Sequence, residues 1–148
     1  MTVPAFVLLA VWCAALSVID IREQRLPNLL TGCGAVAIFG YALLTTEFIA
    51  ATIGAVVLVL PYLVLHLLAP AALGAGDVKL AAGLGAAGAL DGAQTWVWAA
   101  LGAPILTGAL GLICVAARRF GRDAWRVTVP HGPSMCAATL VAMVVPDG

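Results

Sequence analysis

Six stretches rich in apolar side chains follow one another along this chain, and nearly every charged residue falls between them. They run from Val3 to Ile19, Leu29 to about Thr45, Phe48 to about Ala69, Asp77 to about Leu90, Thr95 to Ala117, and about Ser134 to Val145. A helix needs roughly 20 mainly apolar residues to cross the hydrocarbon core of a bilayer, and most of these runs approach that length. Inside a bilayer no water satisfies backbone polar groups, so such a run must fold as a helix with internal hydrogen bonds. Composition agrees, because 64% of the 148 residues are apolar and 9% are charged. A soluble domain carries about 25% charged residues, and with fewer its surface would become large apolar patches. The expected fold is all-α, a polytopic membrane bundle of about six transmembrane helices, forming one domain over residues 1–148.

The cations give this bundle a direction. Arg22 and Arg25 lie between the first two runs, Lys79 at the junction of the third and fourth, and Arg118, Arg119, Arg122 and Arg126 between the fifth and sixth. The connections near Glu47 and Asp91 carry no Lys or Arg. Cations on alternate loops mark those loops as cytoplasmic and place both termini outside. The first run is expected to be a mature helix and not a cleavable signal, since no cation precedes it. Topology thus accounts for all seven cations in a chain of zero net charge. No basic face remains for nucleic acid, which is excluded as a partner; the bilayer is the expected surround.

Other features read as packing. Cys13, Cys33, Cys114 and Cys136 stand far apart without CxxC spacing, which suits small apolar fillers and not a zinc or redox motif. Gly83-x-Gly85-x-x-Gly88 matches a dinucleotide fingerprint in form, but that motif requires a preceding strand. Here the glycines fall within an apolar helix of small residues, which belongs inside the bundle because small residues let helices approach closely in lipid. Trp96 and Trp98 suit an interfacial aromatic belt on the uncharged side.

Seven acidic residues remain to be explained. Glu47, Asp91, Asp123 and Asp147 sit in loops or at a terminus, and Glu23 in a cytoplasmic loop, where solvated charge is the simple reading. Asp20 and Asp77 differ. Asp20 ends the first apolar run and Asp77 begins the fourth, so both fall at the cytoplasmic rim of the bilayer. Ionisable residues at membrane helices are costly and mark functional sites. Two adjacent carboxyls do not readily both ionise, so one can serve as general base on a water while the other polarises a peptide carbonyl. The structural alternative pairs Asp20 with Arg22 or Arg25 and makes Asp77 a helix cap. Gly74 and Gly76 precede Asp77; glycine permits unusual backbone conformations and close approach of a ligand backbone, though Gly-rich turns between helices are also common.

Three segments, taken together and in order, resemble one family. They are Ile19-Asp20-Ile21-Arg22-Glu23-Gln24-Arg25-Leu26-Pro27-Asn28, Gly74-Ala75-Gly76-Asp77-Val78-Lys79-Leu80, and Val129-Pro130-His131-Gly132-Pro133-Ser134-Met135. The first resembles the leading catalytic segment of the bacterial type IV prepilin leader peptidases. The second is similar to their GxGD-x-K-L signature, and the third to a Pro-x-Gly-Pro segment opening the last helix. The resemblance implies an aspartic endopeptidase of the cell inner membrane with Asp20 and Asp77 as the catalytic pair. It implies a prepilin substrate, cut at the cytoplasmic face between a short basic leader and a hydrophobic helix, with no metal or organic cofactor. Gly74, Gly76, Lys79, Pro27, Asn28, Gly132 and Pro133 are the implied supporting or substrate-binding positions. The short length resembles the tight-adherence (Flp-type) members. Longer relatives carry a cytoplasmic CxxC-bearing domain and methylate the new N-terminus; neither that domain nor its cysteines are present, so methyl transfer is not expected. His131 stands where many relatives have an aromatic residue.

Two single residues stay open at this stage. Lys79 tunes Asp77 or, the favoured reading, snorkels to the interface. His66 relays protons or, again favoured, is a buried histidine with one hydrogen-bond partner. Two rival functions compete with peptide cleavage. One is a small transporter or channel subunit using the two carboxylates as ion or proton sites; the other is a structural assembly partner for which both aspartates are dispensable.

Overall fold

The computed structural model describes residues 1–70, 73–119 and 131–145. Among them every regular element is a helix: α1 (Val3–Glu23), α2 (Asn28–Leu44), α3 (Phe48–Leu68), α4 (Ala75–Asp91), α5 (Ala93–Arg119) and α6 (His131–Val144). Three segments, Val3–Glu23, Phe48–Leu68 and Ala93–Ala116, are long and apolar enough to cross a membrane, and α2 and α6 are shorter apolar helices. The chain is thus an all-α membrane bundle, with six helices among the described residues. Arg122, Asp123, Arg126 and Asp147, with Val129 and Pro130 of the third segment, lie outside the described residues.

Local chemistry sets the helix ends. Pro4 occupies the first turn of α1, where a missing N–H costs nothing. The helix runs past Ile19 and ends at Gln24, whose left-handed backbone (φ 51°) turns its N–H onto the Asp20 carbonyl at 2.9 Å. Asp20 is therefore in the last helical turn, not beyond it. Pro27 precedes α2 in extended geometry. Gly132 and Pro133 fall in the first turn of α6, again where a proline is tolerated. Gly74 caps α4 with an ordinary extended backbone (φ −71°) and Gly76 is already helical, so the expected unusual conformation at these glycines is absent. Their small size has another use, described below.

Helix α4 is the hub. It packs on α2, α3, α5 and α6, while α1 lies mainly on α6. Its small residues Ala81, Gly83, Gly85, Ala86, Ala87 and Gly88 are all buried. At the α3–α4 crossing, a Cβ on Gly85 would stand 2.6 Å from the Gly54 carbonyl oxygen, closer than atoms pack. In lipid, where no hydrophobic force draws helices together, such backbone approach is what creates attraction. The outer faces carry exposed apolar residues such as Leu8, Ile49, Leu68 and Leu112, the surface that acyl chains solvate.

The alternating helices give the bundle two chemically distinct ends. At the far end the Met1 ammonium contacts Asp91 at 2.8 Å and the Thr2 N–H donates to the Tyr41 hydroxyl at 3.2 Å. Asp91 is thus ion-paired rather than simply solvated. The opposite end gathers Asp20, Asn28, Asp77, Lys79 and Gly132.

Candidate active site

Asp20 is carried on the last turn of α1 and is only 7% exposed. Its Oδ2 is buried and accepts no hydrogen bond among the described residues. The first turn of α6 presses against it: a Cβ on Gly132 would lie 2.6 Å from that oxygen. Only a residue without a side chain allows this approach, which explains the glycine. Arg22 and Arg25 are exposed, and the ion pair found among the described residues is Met1 with Asp91. The pairing of Asp20 with a neighbouring arginine is therefore not made. A buried carboxyl with an unmet acceptor is costly to hold, so its retention points to chemistry more than to packing.

Asp77 sits in the first turn of α4 and is 9% exposed. Its Oδ2 accepts the Gly74 N–H at 3.2 Å, and its own N–H donates to the Gly74 carbonyl at 3.1 Å. It does cap α4, in agreement with the structural alternative. That role engages one carboxyl oxygen and orients the group, and the other oxygen is not used by it. Asp20 is the acidic neighbour whose charge acts on Asp77. Two carboxyls far apart in sequence thus share one end of the bundle within electrostatic reach, joined by α6, which packs on both α1 and α4.

The surroundings hold the pair in place. Leu16, Leu80 and Met135 are almost completely buried and belong to one apolar core; Leu16 and Leu80 lie one helical turn inward from Asp20 and Asp77. Leu26 lies against Gly76, where an added Cβ would come within 2.9 Å of the Leu26 Cβ. Lys79, exposed, donates to the Asn28 side-chain oxygen at 2.7 Å. Leu26, Pro27 and Asn28 are in this way fastened over the start of α4. Lys79 ties α2 to α4 and makes no ion pair with Asp77 among the described residues. His66 is held by one hydrogen bond, its Nδ1 donating to the Leu73 carbonyl at 2.7 Å.

Two side chains here have no signal in the sequence. The Tyr62 hydroxyl meets His131 Nε2 at 3.0 Å, and Thr107 Oγ1 meets His131 Nδ1 at 2.6 Å. A lone Tyr or Thr within an apolar run reads as ordinary helix filling. Their convergence on His131, next to Gly132 and so to Asp20, exists only in three dimensions. Among the described residues no three His, Cys, Asp or Glu side chains converge as a metal site would need.

A family model described as the type IV leader peptidase family matches residues 7–117. That span takes in both Asp20 and Asp77 and ends before α6. No curated protein and no solved structure matches the chain.

Proposed function

The chain belongs to the type IV leader peptidase family, and from that premise we propose that it is an aspartic endopeptidase in which Asp20 and Asp77 share the catalysis. It is a membrane peptidase, and its substrate class is the prepilin. We place the reaction at the cytoplasmic face, between a short basic leader and a hydrophobic helix, and assign the chain to the Flp (tight-adherence) type. The observation that carries the reading is the pair of buried carboxyls on α1 and α4 at one end of the bundle, with Asp20 Oδ2 left without a partner among the described residues.

The mechanism follows from two carboxyls that hold one proton between them. The ionised member takes a proton from a water, whose oxygen attacks the scissile carbonyl carbon. The protonated member donates to the carbonyl oxygen as charge develops there. The tetrahedral intermediate then collapses, the C–N bond breaks, and a proton passes to the leaving amine. Gly74 holds Asp77 through its N–H, and Gly132 shapes the space beside Asp20. Gly76 and the Lys79–Asn28 bond keep the connecting segment with Pro27 across the start of α4, and Pro133 starts α6 at the same level. The arginines of the alternate loops support this orientation, with both termini outside.

Co-expression with a prepilin tests the reading. Asp20→Asn and Asp77→Asn should each reduce leader removal by about a thousandfold or more, as loss of a group essential to the chemistry does, with the protein still in the membrane fraction. Substantial cleavage by either variant would sink the proposal. Proton or cation flux in liposomes that both changes abolish, without any cleavage, would instead identify an ion-conducting protein.

A further inference from the structure

Helices α3 and α5 flank the site; they meet at the far end, where the Trp96 indole of α5 donates to the Gly54 carbonyl of α3 at 3.1 Å, and do not pack closely toward the aspartate end. Between them lies a cleft of about 330 Å³, with Pro61 and Leu65 on one wall, Pro104 and Gly108 on the other, and Tyr62, Thr107 and His131 at its floor. The four wall residues are exposed and the three floor residues half-buried, so the cleft opens sideways, onto the surface that faces lipid.

Its depth matches the aspartates. Tyr62 and Thr107 each lie about 21 Å in from the far ends of α3 and α5, and Asp20 about 26 Å along α1, at about 1.5 Å of rise per residue. The floor is thus just inside the bilayer from the carboxyl pair. His131 is followed in sequence by Gly132, which touches Asp20.

The floor has a definite hydrogen-bond polarity. The Thr107 hydroxyl donates its one proton to the Ala103 carbonyl at 3.0 Å, so toward His131 it is an acceptor. His131 Nδ1–H donates to it. The other ring nitrogen of a neutral imidazole is an acceptor, so Tyr62 O–H donates to Nε2. The Tyr62 oxygen then keeps acceptor capacity, suited to a peptide N–H. An acyl chain has no donor for that oxygen, whereas an extended peptide has one at each residue.

We infer that the cleft between α3 and α5 is the lateral doorway for the substrate, receiving the first residues of its apolar segment as an extended peptide from the bilayer and hydrogen-bonding them at the Tyr62–His131–Thr107 floor. The inference rests on the peptidase reading and deepens it. It names the occupant as the apolar side of the cleaved bond.

Gly108 supplies the test, since a Cβ added there meets nothing within 4 Å and a larger side chain would fill the cleft without a backbone clash. The probe is a synthetic peptide with a Lys/Arg leader and an apolar segment, given to the full chain in nanodiscs. With Gly108→Leu its KM should rise by about tenfold or more while kcat changes little, the signature of lost binding. Gly40→Leu, equally unobstructed but on α2 and away from the cleft, should leave both unchanged. A benzophenone in the first apolar residues should crosslink to α3 or α5 of Asp77→Asn protein, and Gly108→Trp should block it. An unchanged KM for Gly108→Leu, with crosslinks mapping elsewhere, would overturn the doorway and leave the peptidase reading standing. Labelling of α3 and α5 by a photoactivatable phosphatidylcholine but not by the peptide would overturn it too, as an acyl-chain site. Peptide crosslinking at the cleft without cleavage by any form of the protein would sustain the doorway and sink the peptidase reading.

Discussion

At the far end of the bundle, Gly54 and Gly85 bring α3 and α4 into backbone contact, the Trp96 indole donates to the Gly54 carbonyl at 3.1 Å, and the Met1 ammonium meets Asp91. At the aspartate end, a buried carboxyl oxygen has no partner among the described residues, and α3 and α5 stand apart around a cleft. The two ends are made of the same helices and much the same residue types. One closes by close approach and by meeting its polar groups; the other keeps polar groups buried and incompletely met. Buried polar atoms without partners are rare in folded proteins because each costs free energy. Where they persist, they mark a site built to engage something else, which in the proposed function is a water and a peptide bond. The tightly joined end supplies the cohesion that lets the other remain open.

Substitutions can break this contrast, and the largest effect is expected beside Asp20. Gly132→Ala should push the carboxyl aside and reduce cleavage by about a hundredfold, the scale of a small misplacement of a reacting group, with little change in the unfolding temperature in detergent. Full activity would show that Asp20 tolerates displacement. At the far end the pattern should reverse. Gly85→Ala would drive a Cβ into the Gly54 carbonyl and should destabilise the bundle by about 1–3 kcal/mol, as overpacking does. Activity per folded molecule should be retained, and loss of activity without loss of stability would erase the distinction between the ends.

Two smaller effects sharpen the comparison. Asp20→Asn removes a buried carboxyl whose Oδ2 lacks a partner among the described residues, so this variant should unfold at a higher temperature, with a gain of about 1 kcal/mol; a clear loss would mean the carboxyl contributes to the fold. Asp91→Asn breaks only a peripheral ion pair and should cost less than about 1 kcal/mol, read from the same unfolding curves, with cleavage unaltered.

Much of this was legible in residue order, for reasons that particular segments make plain. Helix positions followed from the apolar runs, because lipid permits no other backbone state for them. The small residues of α4 announced a central helix. Asp20 and Asp77 stood out because carboxyls are costly at helix ends in a bilayer. The glycines of the Gly74–Asp77 segment were legible as important but not in their action: Gly76 makes room for Leu26 and does not adopt an unusual backbone. Lys79 was weighed as a snorkelling or pKa-tuning residue, and its bond joining α4 to Asn28 appears only in the folded chain. Tyr62 and Thr107 were invisible, since nothing in an apolar run separates a packed hydroxyl from one in a network.

From residue order alone follow the all-α bundle, its membrane setting, and the two acidic positions worth testing, because these depend on hydrophobicity, period and charge within each segment. The meeting of α1 and α6 at Asp20 and Gly132, the separation of α3 and α5, and the hydrogen-bond chain through His131 were settled by the folded arrangement. They depend on which helix faces which and at what depth, and such relations are set by the mutual fit of side chains that are distant along the chain.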